Sequence, residues 1–372
     1  MKRLPGLNGL RAIAASTVFI GHAYQILGIY YSENATRIFH IIDLGAGMVN
    51  LFFVISGFII TYLLMNEYAV TGKVNKWVFF GKRVRRILPL YFLVYGFVFI
   101  LSNTTTLYHP INALSTSGIP VFALFLVNYN AYFATSLSVL PHYWSLSVEE
   151  QFYLGWPFLF TKWKPKFIAL TVLIGALIIR NMSAWLAHHD SGNPYWSTLN
   201  SVMVTSNFGA IAIGALGALY HKDSRGRFIV FHPFSQLVAW ILFAWYFIKG
   251  FNIPYINFEI TELIFLVLIL NLTMNPKSIL SLENKIFNQV GTISYGIYMY
   301  HWPILPLLIS LLNHIGLMPL FSSFYYIPFV LFGYAVVYLI SFCSYHFFEL
   351  KFIKKQPSTK RSINDNRVAT VS

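Results

Sequence analysis

The chain has 372 residues, 57% of them hydrophobic and 18% aromatic, but only 10% charged. Soluble domains carry about 25% charged residues, so most of this surface cannot face water. A formal charge of +14 would suggest nucleic acid in a soluble chain. Here the excess Lys and Arg falls in short loops between apolar runs, which argues against nucleic acid and makes the lipid bilayer the partner.

Several apolar runs, such as Leu10 to Ile29 and Leu51 to Met65, come near the length that crosses a hydrocarbon core roughly 30 Å thick. They are too uniformly apolar for the alternating strands of an outer-membrane barrel. The lone cysteine, Cys343, lies in an apolar run, so neither a disulfide framework nor a paired-thiol metal site is expected. The start, Lys2 and Arg3 before an apolar run, has the outline of a signal peptide. That run is too long and carries Arg11 and His22, so it reads as the first membrane helix.

Ten spans follow in chain order: roughly 9–29, 47–66, 87–102, one within 119–161, then 167–186, 201–220, 234–249, 258–275, 291–312 and 327–349. The fourth region holds two apolar pieces, Ile119–Tyr129 and Phe152–Phe160, around the polar run Ser136–Gln151. Loop charge decides how often it crosses. With one crossing, 22 of the 26 Lys and Arg share one side; Arg37 and Lys249 face the other, and Arg11 and Arg180 lie within spans. Two crossings would misplace Lys162, Lys164, Lys166 and the basic loops after them. The basic side is the cytoplasmic one. The expected fold is therefore all-α and polytopic, about ten transmembrane helices with both termini cytoplasmic. The second apolar piece then reads as re-entrant or tilted, tolerable where protein buries it. Residues 1–350 form one membrane domain with no internal repeat, and the polar tail 351–372 reads as disordered.

Ionisable residues inside membrane helices are costly, so each is a functional candidate. His22 lies eleven positions after Arg11, about three turns, which puts both on one helix face about 16 Å apart. Arg11 would sit near the cytoplasmic mouth and His22 beyond mid-membrane, an arrangement suited to an elongated anionic substrate. Imidazole can act as a base near neutral pH. The same spacing fits an Arg11 that snorkels and a His22 that bonds a neighbouring helix. Arg83 and Arg86, three apart at the start of the third span, offer guanidinium forks on one side, for phosphate or for lipid headgroups. Glu149 and Glu150 stand side by side in Trp144–Tyr153, and only one can face a given side of a helix. A carboxylate there can orient an imidazole, accept a proton or pair with an arginine. It can also be a helix N-terminal anion, with Ser145 or Ser147 as the cap.

Five blocks in order make the pattern recognisable: Leu7-Asn-Gly-Leu-Arg-Ala with His22; Phe52-Phe-Val-Ile-Ser-Gly-Phe58; Arg83-x-x-Arg86-Ile-x-Pro89-x-Tyr91; Trp144-Ser-Leu-Ser-Val-Glu-Glu-Gln-Phe-Tyr153; and Ser294-Tyr-Gly-Ile-Tyr-Met-Tyr-His-Trp-Pro303. Together they span nearly the whole chain, which resembles the acyltransferase-3 family of integral membrane acyltransferases. The resemblance implies a ten-helix fold that takes an acyl group, usually acetyl, from cytoplasmic acyl-CoA to an acceptor across the membrane. Carried onto matching positions, Arg11 and His22 are the essential pair. Arg83 and Arg86 contact the CoA phosphates with Arg11, and Glu149 is the motif glutamate, preferred to Glu150 because the family varies at the second position. Ser56, Trp144, Tyr295 and His301 are candidate cavity-lining residues, although Ser56 reads first as close helix packing and His301 equally as a bond between helices. Family members often follow the last helix's acidic residue with Pro; here Leu350 follows Glu349, which leaves a role for Glu349 open. Some members carry a C-terminal SGNH hydrolase-like domain, and the tail here is expected to make this a standalone form.

The expected activity is transfer of an acetyl group from acetyl-CoA to a hydroxyl of an extracytoplasmic glycan, such as O-antigen or another envelope polysaccharide. The setting would be a bacterial inner membrane, with acetyl-CoA as donor substrate, no permanently bound cofactor and no metal. An envelope-biosynthesis protein is a candidate partner. His22 would serve as general base or take the acyl group itself, with Glu149 holding its tautomer as a carboxylate does in hydrolase triads. The rival readings are a transporter of a lipid-linked sugar or small anion, and a non-catalytic scaffold of an envelope assembly. His188, His189 and Asp190 form an outer cluster that reads as metal site, sugar contact or interfacial belt. Glu259 and Glu262 read as acceptor contacts or a helix-start charge pair. Gly57, Gly209, Gly214 and Gly217 read as close helix packing.

Overall fold

The computed structural model describes residues 4–31, 39–104, 118–129, 140–221, 223–251, 253, 255–321 and 323–354. Arg37, Ser136 and the tail from 355 lie outside them. Every regular element among the described residues is helical, as uniformly apolar runs require in lipid, where backbone groups must bond within their own segment. The helices are α1 (Leu7–Tyr31), α2 (Phe39–Thr71), α3 (Lys76–Thr104), the short α4 (Ile119–Ala123), α5 (Tyr143–Lys162), α6 (Pro165–His189), α7 (Pro194–Thr205), α8 (Phe208–Tyr220), α9 (Ser224–Phe231), α10 (Pro233–Lys249), α11 (Asn257–Met274), α12 (Lys285–Thr292), α13 (Ser294–His314) and α14 (Ser323–Ser344). A π-helical turn, Tyr345–Glu349, extends α14.

Among the described residues eight helical spans are long and apolar enough to cross a bilayer, and the pair α9–α10, bent by 60°, makes a ninth if it counts as one. The chain is a multi-pass membrane protein. Each expected span has a helix at its place. The fourth does not pass on composition: α5 is 20 residues long but carries Glu149, Glu150, Gln151 and Lys162. The polar run before Gln151 joins the second apolar piece in one helix. From Tyr143 onward it is the first half of α5, its carboxylates turned inward by the helices around it. Neither Ser145 nor Ser147 caps that helix. His142 is the N-cap and makes no side-chain cap bond, while the two serine hydroxyls reach other partners.

The bundle is organised on α2, which packs along α1 on one side and α8 on the other, while α1 also meets α12 and α13. Glycines set the closest approaches. A Cβ on Gly57 would overlap the Ile211 carbonyl, and one on Gly214 would overlap the Val54 carbonyl. Small residues at such crossings let membrane helices exchange dispersion contacts where no hydrophobic drive exists. Gly217 likewise meets Leu266, and Gly209 sits beside Asn207, the N-cap of α8. We expect Gly214→Val to part α2 from α8 at a cost of at least about 1–3 kcal/mol. The check is a thermal melt in detergent, where an unchanged midpoint would contradict this packing. The opposite composition appears outside: Phe92, Phe97, Ile174, Ile178, Ile241 and Leu331 are exposed, as lipid contact requires.

Candidate active site

Five helices converge on one cavity of about 200 Å³. Arg11 comes from α1, Ser56 from α2, Arg83 and Arg86 from α3, Glu149 and Tyr153 from α5, and Tyr295 from α13. Three guanidinium groups therefore share it with one carboxylate. Glu149 accepts hydrogen bonds from Ser56 Oγ at 2.7 Å and Tyr153 Oη at 3.0 Å, and lies within electrostatic reach of Arg11 and Arg83. The Arg83 guanidinium stands over the Tyr153 ring at 5.4 Å and the Phe79 ring at 5.6 Å. Those rings hold the cation without neutralising it. A second cavity of about 200 Å³ shares Arg83 and Arg86 and adds Lys82 and Arg85 with one carboxylate, Glu67. Guanidinium forks that outnumber the carboxylates in the cavity suit phosphate oxygens.

The cavity is also lined by Ser145, Ser294 and Tyr298. Tyr298 Oη lies 2.5 Å from Ser145 Oγ and donates to the His142 carbonyl at 3.0 Å. Behind this partition three imidazoles gather. His22 Nδ1 is 2.7 Å from His301 Nε2, with the ring planes 7° apart. His142 lies 4.9 Å from His301 centroid to centroid, and Trp302 stands edge-on to His22 at 5.0 Å. His142 and His301 are buried, while His22 keeps partial exposure. Among the described residues no hydrogen bond of normal geometry reaches Trp302 Nε1 or either nitrogen of His142, whose nearest backbone partner is Met299. Buried polar atoms without partners are rare and cost about 1–3 kcal/mol each. Three such atoms lie beside the partly exposed His22 imidazole.

The structure thus joins Arg11, Arg83, Arg86, Ser56, Glu149 and Tyr295 around one cavity and puts His22 one side-chain layer beyond it. It separates His22 from Glu149: the group on the imidazole is His301, and the carboxylate is held by Ser56 and Tyr153. Trp144 and His301 do not line the cavity. Trp144 turns about 100° from its neighbour Ser145 and packs edge-on to Phe53, and His301 is enclosed behind Tyr298. Glu150 is buried off the cavity, within electrostatic reach of Arg83. Glu349 is buried too, accepts from Ser344 Oγ at 3.2 Å and lies within electrostatic reach of Arg86.

Sequence reading missed His142, Ser145 and Tyr298 as parts of the site. His142 carried a usable signal, an ionisable residue at the head of a motif block. The weaker candidates fall elsewhere. Among the described residues no group of three His, Cys, Asp or Glu side chains, the imidazole cluster included, is disposed to hold a metal ion. His189 stacks on Trp185 at 4.3 Å and Asp190 accepts from Trp196 Nε1. Glu259 pairs with Arg180 at 2.9 Å, and the fully buried Glu262 accepts from Asn207.

The acyltransferase-domain model of the acyltransferase-3 family matches residues 4–346, nearly the whole chain. The chain belongs to that family. Among curated proteins it is 28% identical over 328 residues to "O-acetyltransferase OatA" of Staphylococcus aureus (strain NCTC 8325 / PS 47), covering 81% of this chain and 50% of the relative. It is 27% identical over 337 residues to "Peptidoglycan O-acetyltransferase OatA" of Listeria monocytogenes, covering 82% and 50%. A "Putative O-acetyltransferase SACOL0978" of Staphylococcus aureus (strain COL) is 25% identical over 330 residues, covering 82% and 51%. The chain spans about half the length of these relatives. No solved structure matches it.

Proposed function

We propose that this family member carries acetyl groups across a bacterial cytoplasmic membrane, from acetyl-CoA on the basic face to a hydroxyl of an envelope glycan on the other. The observation that carries the reading is the alignment of an arginine-lined cavity with a buried imidazole cluster along one helix, α1. The names of the relatives favour O-acetyl transfer, and one of them favours peptidoglycan as the first acceptor to try.

In this reading Arg11, Arg83 and Arg86 hold the CoA phosphates, and Glu149 keeps Arg11 and Arg83 in place without neutralising the site. The thin thiol-bearing arm of CoA runs up the cavity, and parting of Ser145 from Tyr298 admits the thioester to His22. The acceptor oxygen attacks the thioester carbonyl while His22 takes its proton. The carbon–sulfur bond breaks, and the same proton passes to the CoA thiolate. The oxygen-seeking atoms of His142 and Trp302 stand where the acceptor or the developing oxyanion needs donors. The helices count ten in this reading, with α5 as the fourth crossing and both termini cytoplasmic.

The test uses purified protein in detergent with radiolabelled acetyl-CoA and soluble peptidoglycan fragments. The proposal predicts labelled glycan ester and an equal amount of free CoA. Acetyl-CoA left intact in the presence of acceptor would overturn it in favour of a transporter.

A further inference from the structure

Resting on the acyl-transfer reading above, we infer that His301 is a positioning residue that fixes the tautomer of His22 and leaves its Nε2 as the reacting atom. The hydrogen-bond directions carry the argument. His301 Nδ1 lies 3.2 Å from the Ile297 carbonyl, one turn back on α13. A carbonyl only accepts, so Nδ1 of His301 carries the proton. In a neutral ring its Nε2 is then a lone pair, and that lone pair is 2.7 Å from His22 Nδ1. His22 must therefore donate through Nδ1, which leaves the lone pair on its Nε2. The parallel ring planes, 7° apart, suit an in-plane lone pair receiving the proton.

The alternative, a doubly protonated His301 donating to His22, would bury a cation at membrane depth without an anion. The one cavity carboxylate is engaged by Ser56 and Tyr153 instead, and an uncompensated buried charge is strongly disfavoured. Burial separates the two roles as well. His301 is fully buried and only His22 is accessible. A carboxylate in this position would stabilise an imidazolium. A neutral imidazole orients His22 without adding a negative charge to repel the acceptor oxygen as it gains charge.

Two measurements test this. Protein labelled with ¹⁵N in its histidines, with the His22 signals identified by their loss in His22→Gln, should show His22 with its proton on Nδ1. A His22 protonated on Nε2 would overturn the inference whether or not the protein is active. In the transfer assay, His301→Leu should lower kcat by roughly 10²-fold or more at unchanged KM for acetyl-CoA. His301→Gln, whose amide oxygen can accept from His22 Nδ1, should recover most of that loss. An unchanged kcat in His301→Leu would overturn it. A wild-type protein with the expected tautomer but no acetyl transfer would sink the acyl-transfer reading and leave the hydrogen-bond assignment standing.

Discussion

His22→Ala is expected to reduce acetyl transfer at least roughly 10²- to 10⁴-fold, the range supplied by a positioned general base, with the protein still folded. The imidazole fills part of a polar cluster, not a packed apolar core. Among the described residues its one hydrogen bond is to His301, whose other bond is to its own helix. Removing it therefore orphans a single lone pair, at a cost of about 1–3 kcal/mol. Folded yield and melting should stay near wild type, and the loss should fall on kcat. The assay is ester formation on peptidoglycan fragments, read beside gel filtration of the same sample. A correctly folded His22→Ala protein with wild-type turnover would remove His22 from the chemistry. If wild type also retains protein-bound label that acid releases and that His22→Ala lacks, the imidazole carries the acyl group and is more than a base.

Arg11→Ala should act on the donor instead. Arg11 lines the cavity with Arg83 and Arg86, and a hydrogen bond to a charged group is worth about 1.5–3 kcal/mol. KM for acetyl-CoA should therefore rise roughly tenfold to 10²-fold, with a much smaller change in kcat. Removing Arg11 also strips Glu149 of a cation within electrostatic reach. A buried charge left without its partner costs more than the pair contributed. The double variant Arg11→Ala with Glu149→Gln should thus be better folded than Arg11→Ala alone, a non-additivity that a mutant cycle measures. Unchanged donor KM in a folded Arg11→Ala protein would contradict the phosphate role.

Much of this was legible in the residues. The spacing of Arg11 and His22 put both on one face of α1, and the structure carries one to the cavity and the other to the imidazole cluster. Charge and apolar length located a helix at every expected span. The polarity of Ser136–Gln151 misled, because hydropathy reads a segment alone while its burial is decided by partners. Ser147 and Gln151 satisfy the neighbouring turn at Val127 and Phe125, and Trp156, further along α5, bonds Thr61 of α2. The assignment of a triad carboxylate to His22 failed for a related reason. Glu149 and His301 both lie far from His22 in sequence, and only the crossing of α13 beside α1 shows which of them reaches it. Glu349 was equally out of reach, since its inward turn depends on the π-helical turn that shifts the register of α14's end.

The central claim is transfer from one face of the membrane to the other. It is tested most directly in sealed vesicles with the protein's basic face outward, labelled acetyl-CoA outside and peptidoglycan fragments inside. The account predicts labelled ester on the enclosed sugar, free CoA outside, and neither with His22→Ala. Ester that forms only after detergent opens the vesicles would contradict it, placing donor and acceptor on the same face.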